Sequence, residues 1–417
     1  MRTSEKERRS ILRAVETLVT TKMINMGRVD LKEWSRRVDA RTPELLIVDE
    51  PVFESSVREL LSELCVSHTA FYKSLPDRFP PQHTISATLR NIGDVDHPNW
   101  MFLDVFDGGP ADTAGIRPGD YLEAVDAKPV EGLLPTFGMG RRHNLTINAR
   151  DGRRSTSVEV PVRKGSKTNP PIVEPLALKS SVCAPGVGYL KVGWFPGAIG
   201  LRFANELDRT IANLTAQGTT HLIVDLRGNI GGGLGFARVA SYFCADKRPI
   251  GQSLTPTRLK TGYDPAELPR IPLPDSKLKL ALVLIQFLLK DKSLFLLSQG
   301  LGTQPFHGRI AILVNEWTNS AAEMLANFAS EYGLGTIIGT KTAGNILGAR
   351  NFEVGRDYWV RLPVFGWLTA AGESLDGRGL DPDQVVDVDP ESMRAGRDVQ
   401  VEQAVEKLIQ RSVSTEA

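Results

Sequence analysis

Ser320 stands in Ile312-Leu313-Val314-Asn315-Glu316-Trp317-Thr318-Asn319-Ser320-Ala321-Ala322-Glu323-Met324-Leu325, where an apolar strand pattern passes through a short turn into a helical one. A serine at a strand-to-helix turn exposes its hydroxyl, and neighbouring backbone N–H groups point to where an acyl transfer develops negative charge. Taken alone, Ser320-x-x-Glu323 ahead of an apolar run is also an ordinary capping box. A second segment, His221-Leu222-Ile223-Val224-Asp225-Leu226-Arg227-Gly228-Asn229-Ile230-Gly231-Gly232-Gly233, is again a buried strand running into a turn. Consecutive glycines let a backbone approach a ligand closely and can present N–H groups as a nest. A phosphate cradle would use the same geometry, but the stretch has neither a GxxxxGK[ST] nor a GxGxxG pattern.

The elements that must position these residues follow from periodicity. Helical patterns run from Ile11 to about Leu75, with Val57, Leu60, Leu61 and Leu64 on one face, and form a helical cap. From about Thr84 to Val162, short β-patterned runs alternate with turn signals such as Asp107-Gly108-Gly109-Pro110 and Asp151-Gly152. After a linker at Asn169-Pro170-Pro171, strand-like runs at Val187–Val192, His221–Leu226, Ile310–Val314 and Thr336–Ile338 alternate with helical stretches, as in an α/β core. Thr255–Lys279, rich in Pro and Lys, reads equally as a long surface excursion or a disordered insertion, and Glu391–Ala417 as a helix with a frayed tail. The expected organisation is a helical domain over 1–80, a β domain over 84–163, a core over 175–390 and a terminal helix and tail over 391–417.

Composition bounds the function classes. The 417 residues suit two or three domains, and 24% charged with 41% hydrophobic residues is ordinary globular usage, which excludes fibrous and broadly disordered classes. Fifty basic against forty-nine acidic residues leave no field to draw the chain onto nucleic acid or an anionic membrane. Cys65, Cys183 and Cys244 form no CxxC and read as buried free thiols. The most apolar stretch, Leu280–Leu289, is too short for a membrane span of about twenty residues. The charged start carries no uninterrupted apolar segment before Asp30, so the expected location is cytoplasmic, with an extracytoplasmic one left open for a processed chain.

Gly109-Pro110-Ala111, Ala114-Gly115-Ile116, Gly119-Asp120, Leu122, Val125 and Pro129-Val130 together resemble the PDZ domain in the variety found inside bacterial proteases. The resemblance implies that an extended peptide adds a strand to an exposed edge, its carboxylate held by backbone N–H groups near Leu89–Trp100. Gly93-Asp94-Val95-Asp96 puts acidic side chains at that place, so a purely structural or hinge role stands beside peptide binding.

Four ordered motifs resemble the C-terminal processing, or tail-specific, serine peptidases: Asp225-Leu-Arg227-Gly-Asn229 with Gly231-Gly232, Asn319-Ser320-Ala321-Ala322-Glu323, Gly339-Thr-Lys-Thr-Ala-Gly344 and Gly379-Leu-Asp-Pro382-Asp383. The resemblance covers about Gly186 to Pro390 and implies a multidomain α/β architecture: helical cap, PDZ-like β domain and a crotonase-like or ClpP-like peptidase core. It makes Ser320 the nucleophile and gives the oxyanion hole to the N–H of Ala321 with one from Gly231 or Gly232. Where the Ser/Lys members carry their lysine this chain has Asn345, which cannot take a proton, and Lys341 lies four residues early. The branch resembling the tricorn protease core takes its base from a helix ending in Ser-His, which Ser67-His68 matches. Extending the Val57, Leu60, Leu61, Leu64 face by four places His68 inward. A lone histidine there is otherwise a core residue. The same analogy makes Asp376 the acid that orients His68, with Glu373 in reserve and an Asp-Gly turn as the bland reading, and Ser67 the group that orients Asp376. His83, His97, His143, His221 and His307 show no metal-ligand spacing, so no metal or cofactor is implied.

The reading is a serine peptidase acting on peptide or unfolded protein through an acyl-enzyme, as a monomer or a homo-oligomer. Its alternatives are a Ser320/Lys341 dyad, a PDZ scaffold that gathers C-termini, or a catalytically inactive ligand- or peptide-binding protein on the same fold.

Overall fold

The computed structural model describes residues 3–413 apart from 26, 28, 74–76, 95, 163–171, 198, 275, 277, 280–291, 303–305, 307 and 308. The apolar stretch Leu280–Leu289 and His307 lie outside the described residues. No described helix is long and apolar enough to cross a membrane. The chain divides into two compact units, one of Met1–Pro76, Pro249–Leu297 and Gly344–Gly379, the other of Asp77–Arg248, Ser298–Ala343 and Leu380–Ala417.

The first unit opens with helices Glu5–Lys22, Leu31–Ile47 and Glu50–Ser62. Ser4 and Glu7 form a capping box at the first, and Asp30 Oδ1 accepts from the Lys32 and Glu33 N–H groups at the second, satisfying donors that a helix start leaves unpaired. Ile11, Val15, Trp34, Phe53, Val57 and Leu60 share one apolar core with Phe71, Tyr358, Val360 and Leu362 of a six-stranded sheet. In that sheet the order is Ala70–Tyr72, Tyr358–Thr369, Pro249–Leu254, Leu294–Leu297 and Arg270–Pro272, with Gly348–Gly355 also on Tyr358–Thr369. The Pro- and Lys-rich excursion is structured: helix Pro256–Thr261, capped by Thr255 Oγ1, precedes strand Arg270–Pro272, and Leu268, Ile271 and Leu273 are buried. Its charge and prolines conceal an apolar face.

In the second unit a small antiparallel sheet runs Ala87–Asn91, Trp100–Val105, Tyr121–Val125, Arg142–Ala149 and Gly152–Glu159, with Lys128–Pro129 folded back on Tyr121–Val125. The short helix Pro110–Thr113 covers it, and Ile85, Leu89, Phe102, Ala111, Ile116, Leu145 and Ile147 form its core. Its two edges differ. Ala87, Thr88 and Leu89 are at most 1% exposed, whereas Gly152–Glu159 is mostly open to solvent. In the turn after Asn91, the Gly93 and Asn99 N–H groups donate to Asn91 Oδ1 and the His97 N–H to Asp94 Oδ1, so these donors are spent on their own loop.

The mostly parallel sheet of this unit runs Leu178–Ala184, Val187–Val192, His221–Asp225, Ile310–Val314, Thr336–Gly339 and Gln384–Val385, parallel from the second strand onward. Such strands are buried on both faces and need continuous apolar runs. All five residues of His221–Asp225 and of Ile310–Val314 are buried. Helix Leu201–Ala216 supplies one crossover, and Ala404 and Leu408 of helix Val399–Val413 pack on Val187, Ile223, Ala311, Leu313 and Ile338.

Candidate active site

Strands His221–Asp225 and Ile310–Val314 are parallel neighbours with Asp225 opposite Leu313, so their turns leave the same end of the sheet side by side. Two hydrogen bonds lock the turns together: the Asn319 N–H donates to the Asn229 carbonyl at 2.9 Å and Thr318 Oγ1 to the Leu226 carbonyl at 2.9 Å. Ser320 sits at φ 54°, ψ −116°, a strained backbone for a residue with a Cβ, immediately before helix Ala321–Glu331. The fully buried Glu323 carboxylate accepts from the Ser320 N–H at 2.9 Å and from Thr342 Oγ1 at 2.7 Å. The capping residue and the nucleophile candidate are thus compatible readings of one turn.

Gly231 has φ +84°, and a Cβ there would lie 2.7 Å from Ser320 Cβ. Only glycine lets this turn approach the serine. The Gly231 N–H donates to Asn229 Oδ1 at 2.7 Å. Gly232, at φ +130°, is held against Phe195, whose carbonyl a Cβ would meet at 2.2 Å. Below the turn, Asp225 binds the Arg227 guanidinium at 2.6 Å and Tyr189 Oη at 2.5 Å, while Arg227 reaches Asp398 at 2.8 Å and Gln400 at 2.7 Å. Burial acts to raise the Asp225 pKa, but the charges of Arg227 and Lys191 outweigh it and hold the carboxyl well below the usual carboxylate range.

In the first unit, helix Glu50–Ser62 ends before the Ser-His pair, and Cys65 and His68 take left-handed φ values of 50° and 64°. His68 therefore does not continue the helix face. Turn residues carry it to Asp376. Ser67 Oγ donates to Asp376 Oδ1 at 2.5 Å, and His68 Nδ1 lies 2.9 Å from the same Oγ. Because the ionised carboxylate only accepts, the hydroxyl proton goes to Asp376, and the oxygen is left to accept from Nδ1–H. That tautomer leaves Nε2 with its lone pair, the form a general base requires. Burial lowers the His68 pKa to about 4, the Arg361 charge pushes in the same direction, and Asp376 opposes both. Arg361 faces Ala70 across the sheet, two residues beyond His68.

The first unit thus brings together Ser67, His68 and Asp376, and the second brings together Ser320, Ala321, Gly231 and Gly232. The alternatives stand otherwise. Lys341 forms an ion pair with Asp381 at 3.1 Å with half its side chain exposed, and Glu373 pairs with Arg378 at 3.2 Å on the surface. Asn229, whose side chain and carbonyl hold both turns, and Arg361, whose charge acts on His68, carry functions that spacing alone did not reveal. A buried asparagine inside a glycine turn was the available signal for the first; nothing local marks the second.

Residues 186–386 match peptidase family S41. A probable CtpA-like serine protease of Staphylococcus aureus (strain N315) is 26% identical over 295 residues, 69% of this chain and 50% of that protein. The counterpart in Staphylococcus epidermidis is 25% identical over 283 residues, 66% and 48% of the two chains. This chain therefore spans about half the length of the curated relatives it matches. Among solved structures, the photosystem II D1 C-terminal processing protease superposes with a TM-score of 0.56 at 18% identity, covering 92% of this chain and 94% of its own. Mature CPAF gives 0.54 at 14%, covering 97% and 98%. The shared fold is a multidomain α/β one with helices at the amino terminus.

Proposed function

We propose, from the match of residues 186–386 to peptidase family S41, that the chain hydrolyses peptide bonds of peptide or unfolded protein substrates by serine acyl transfer. Ser320 Oγ attacks the scissile carbonyl carbon while His68 Nε2 takes its proton. The tetrahedral oxyanion is held by the N–H groups of Ala321 and Gly232, since the Gly231 N–H already serves Asn229. Collapse breaks the C–N bond, His68 returns the proton to the leaving amine, and water then releases the acyl group by the same steps. Ser67 relays the orienting effect of Asp376 to the imidazole.

The observation that carries this reading is the hydrogen-bond chain from Asp376 through Ser67 to His68 Nδ1, which selects the base-competent tautomer. Lys341 lacks the burial a catalytic lysine amine needs and is engaged by Asp381. The small antiparallel sheet is read as PDZ-like, with a structural role, because Ala87–Leu89 of its edge strand are buried and the N–H groups of Gly93 and Asn99 in the following loop are internally bonded.

A fluorophosphonate probe tests the assignment. Wild-type protein is expected to be labelled at Ser320, and Ser320→Ala or His68→Ala to abolish both labelling and cleavage of an internally quenched peptide with folding intact. Absence of labelling in the wild type would favour a binding protein on the same fold, and full turnover by His68→Ala would remove the histidine from the mechanism.

A further inference from the structure

Two buried side-chain amides grip the glycine turn and the nucleophile turn at one pair of residues. Asn315 Oδ1 accepts from the Gly228 N–H and the Trp317 N–H, each at 3.0 Å. Gln82 Nε2 donates to the carbonyls of the same two residues, at 3.1 Å for Gly228 and 3.4 Å for Trp317. Gly228 stands three residues before Gly231, and Trp317 three residues before Ser320. Each turn is therefore held on both its donor and its acceptor side, one short step upstream of the group it presents.

The orientation of this clamp is set from the small antiparallel sheet. Asn315 Nδ2 donates to Asp104 Oδ2 at 3.1 Å, and a carboxylate can only accept, so the amide cannot flip. Asp104 lies on strand Trp100–Val105 and is itself held by Thr88 Oγ1 at 2.7 Å and Lys191 Nζ at 3.3 Å. Its carboxylate presses on the glycine turn: at Gly228, φ +69°, a Cβ would lie 2.8 Å from Asp104 Oδ2. Asp104, Gln82 and Asn315 are 8%, 6% and 4% exposed, so water cannot replace a lost partner cheaply.

We propose that Asp104, Asn315 and Gln82 are positioning residues for acyl transfer, setting the separation between the Gly232 and Ala321 N–H groups and Ser320 Oγ; the small sheet is then a working part of the oxyanion site. This rests on the peptidase reading above. Oxyanion donors act only when fixed in place before charge develops, and small misplacements of a reacting group are costly in rate.

The test uses the full chain. Asn315→Asp sets two carboxylates against each other and is expected to lower kcat about 100-fold with KM within about 3-fold of wild type, the pattern of an interaction felt in the transition state. Adding Asp104→Asn restores a donor–acceptor pair of reversed polarity while residue 315 keeps an oxygen for both N–H groups, and kcat is expected to recover to within about 10-fold. Gln82→Met keeps the volume but removes the donor, and is expected to cost about 10-fold in kcat. In Asn315→Asp and Gln82→Met, amide hydrogen exchange is expected to quicken in 226–233 and 315–320, with strands His221–Asp225 and Ile310–Val314 unchanged. An undiminished kcat in Asn315→Asp, or a double variant that regains thermal stability without regaining kcat, overturns the proposal. If wild-type protein takes no fluorophosphonate, the peptidase reading fails separately, and unaltered exchange in both turns then overturns the positioning claim on its own.

Discussion

His68 is a base made weak by its surroundings. With its pKa lowered to about 4, the imidazole stays neutral and able to accept a proton through mildly acidic pH. The acid limb of kcat/KM is therefore expected near pH 4, well below the ordinary histidine value of about 6.5. Arg361→Gln removes a positive charge that disfavours the imidazolium, so the limb is expected to move to higher pH in a pH–rate profile; a downward or absent shift would refute the coupling. Linkage runs the same way. Between about 6.5 and about 4 the unfolded chain binds the proton that the folded chain refuses, so this histidine's contribution to stability falls as pH drops through that window. Ser67→Ala cuts the link from Asp376 to Nδ1 and is expected to lower kcat by about 100-fold, within the range of general-base contributions, as read from steady-state hydrolysis. Ser67, His68 and Asp376, which hydrogen bonds join in one chain, were singled out in the sequence only through the resemblance to the tricorn-like branch, since Asp376 lies 309 residues from Ser67. The left-handed turn that carries His68 off the helix was not, since periodicity continues on paper past the point where the backbone stops being helical at Ser62.

At the scale of elements, the two turns work as one object. Gly231→Ala would place a methyl group 2.7 Å from Ser320 Cβ and would force φ +84° on an alanine. The expected result is loss of fluorophosphonate labelling by about 100-fold or more, comparable to removing an oxyanion donor, with the far-UV spectrum retained. Strand and helix placement in this region was legible because buried parallel strands are continuous apolar runs, as Ile310–Val314 shows. Gln82 and Asn315 were opaque for the opposite reason. Gln82 lies 146 and 235 residues from the carbonyls it binds, and no local pattern distinguishes such an amide from a surface one. Thr255–Lys279 misled through composition, its few buried side chains, Leu268, Ile271 and Leu273, being spaced among prolines and charges.

At the scale of the whole chain, distant segments converge on buried charge. Arg227 joins Asp225 of a core strand to Asp398 and Gln400 at the start of the terminal helix. Arg227→Ala would leave the fully buried Asp225 short of its strongest partner and is expected to destabilise folding by about 3–5 kcal/mol, measured by urea denaturation. A loss within experimental error would show that Lys191 alone neutralises Asp225.

The reach of Asp104 and Gln82 bears on how this protein can be dissected or recombined. A catalytic half excised after residue 171 would leave behind not only Asp104 and Gln82 but also Ser67 and His68, and would strip Tyr358, Val360 and Leu362 of the helices they pack against, so a fragment of that kind should be inactive and poorly folded. Grafting in a foreign small domain should succeed only when the donor brings an acid at the place of Asp104, which makes one carboxylate the entry requirement for modular exchange.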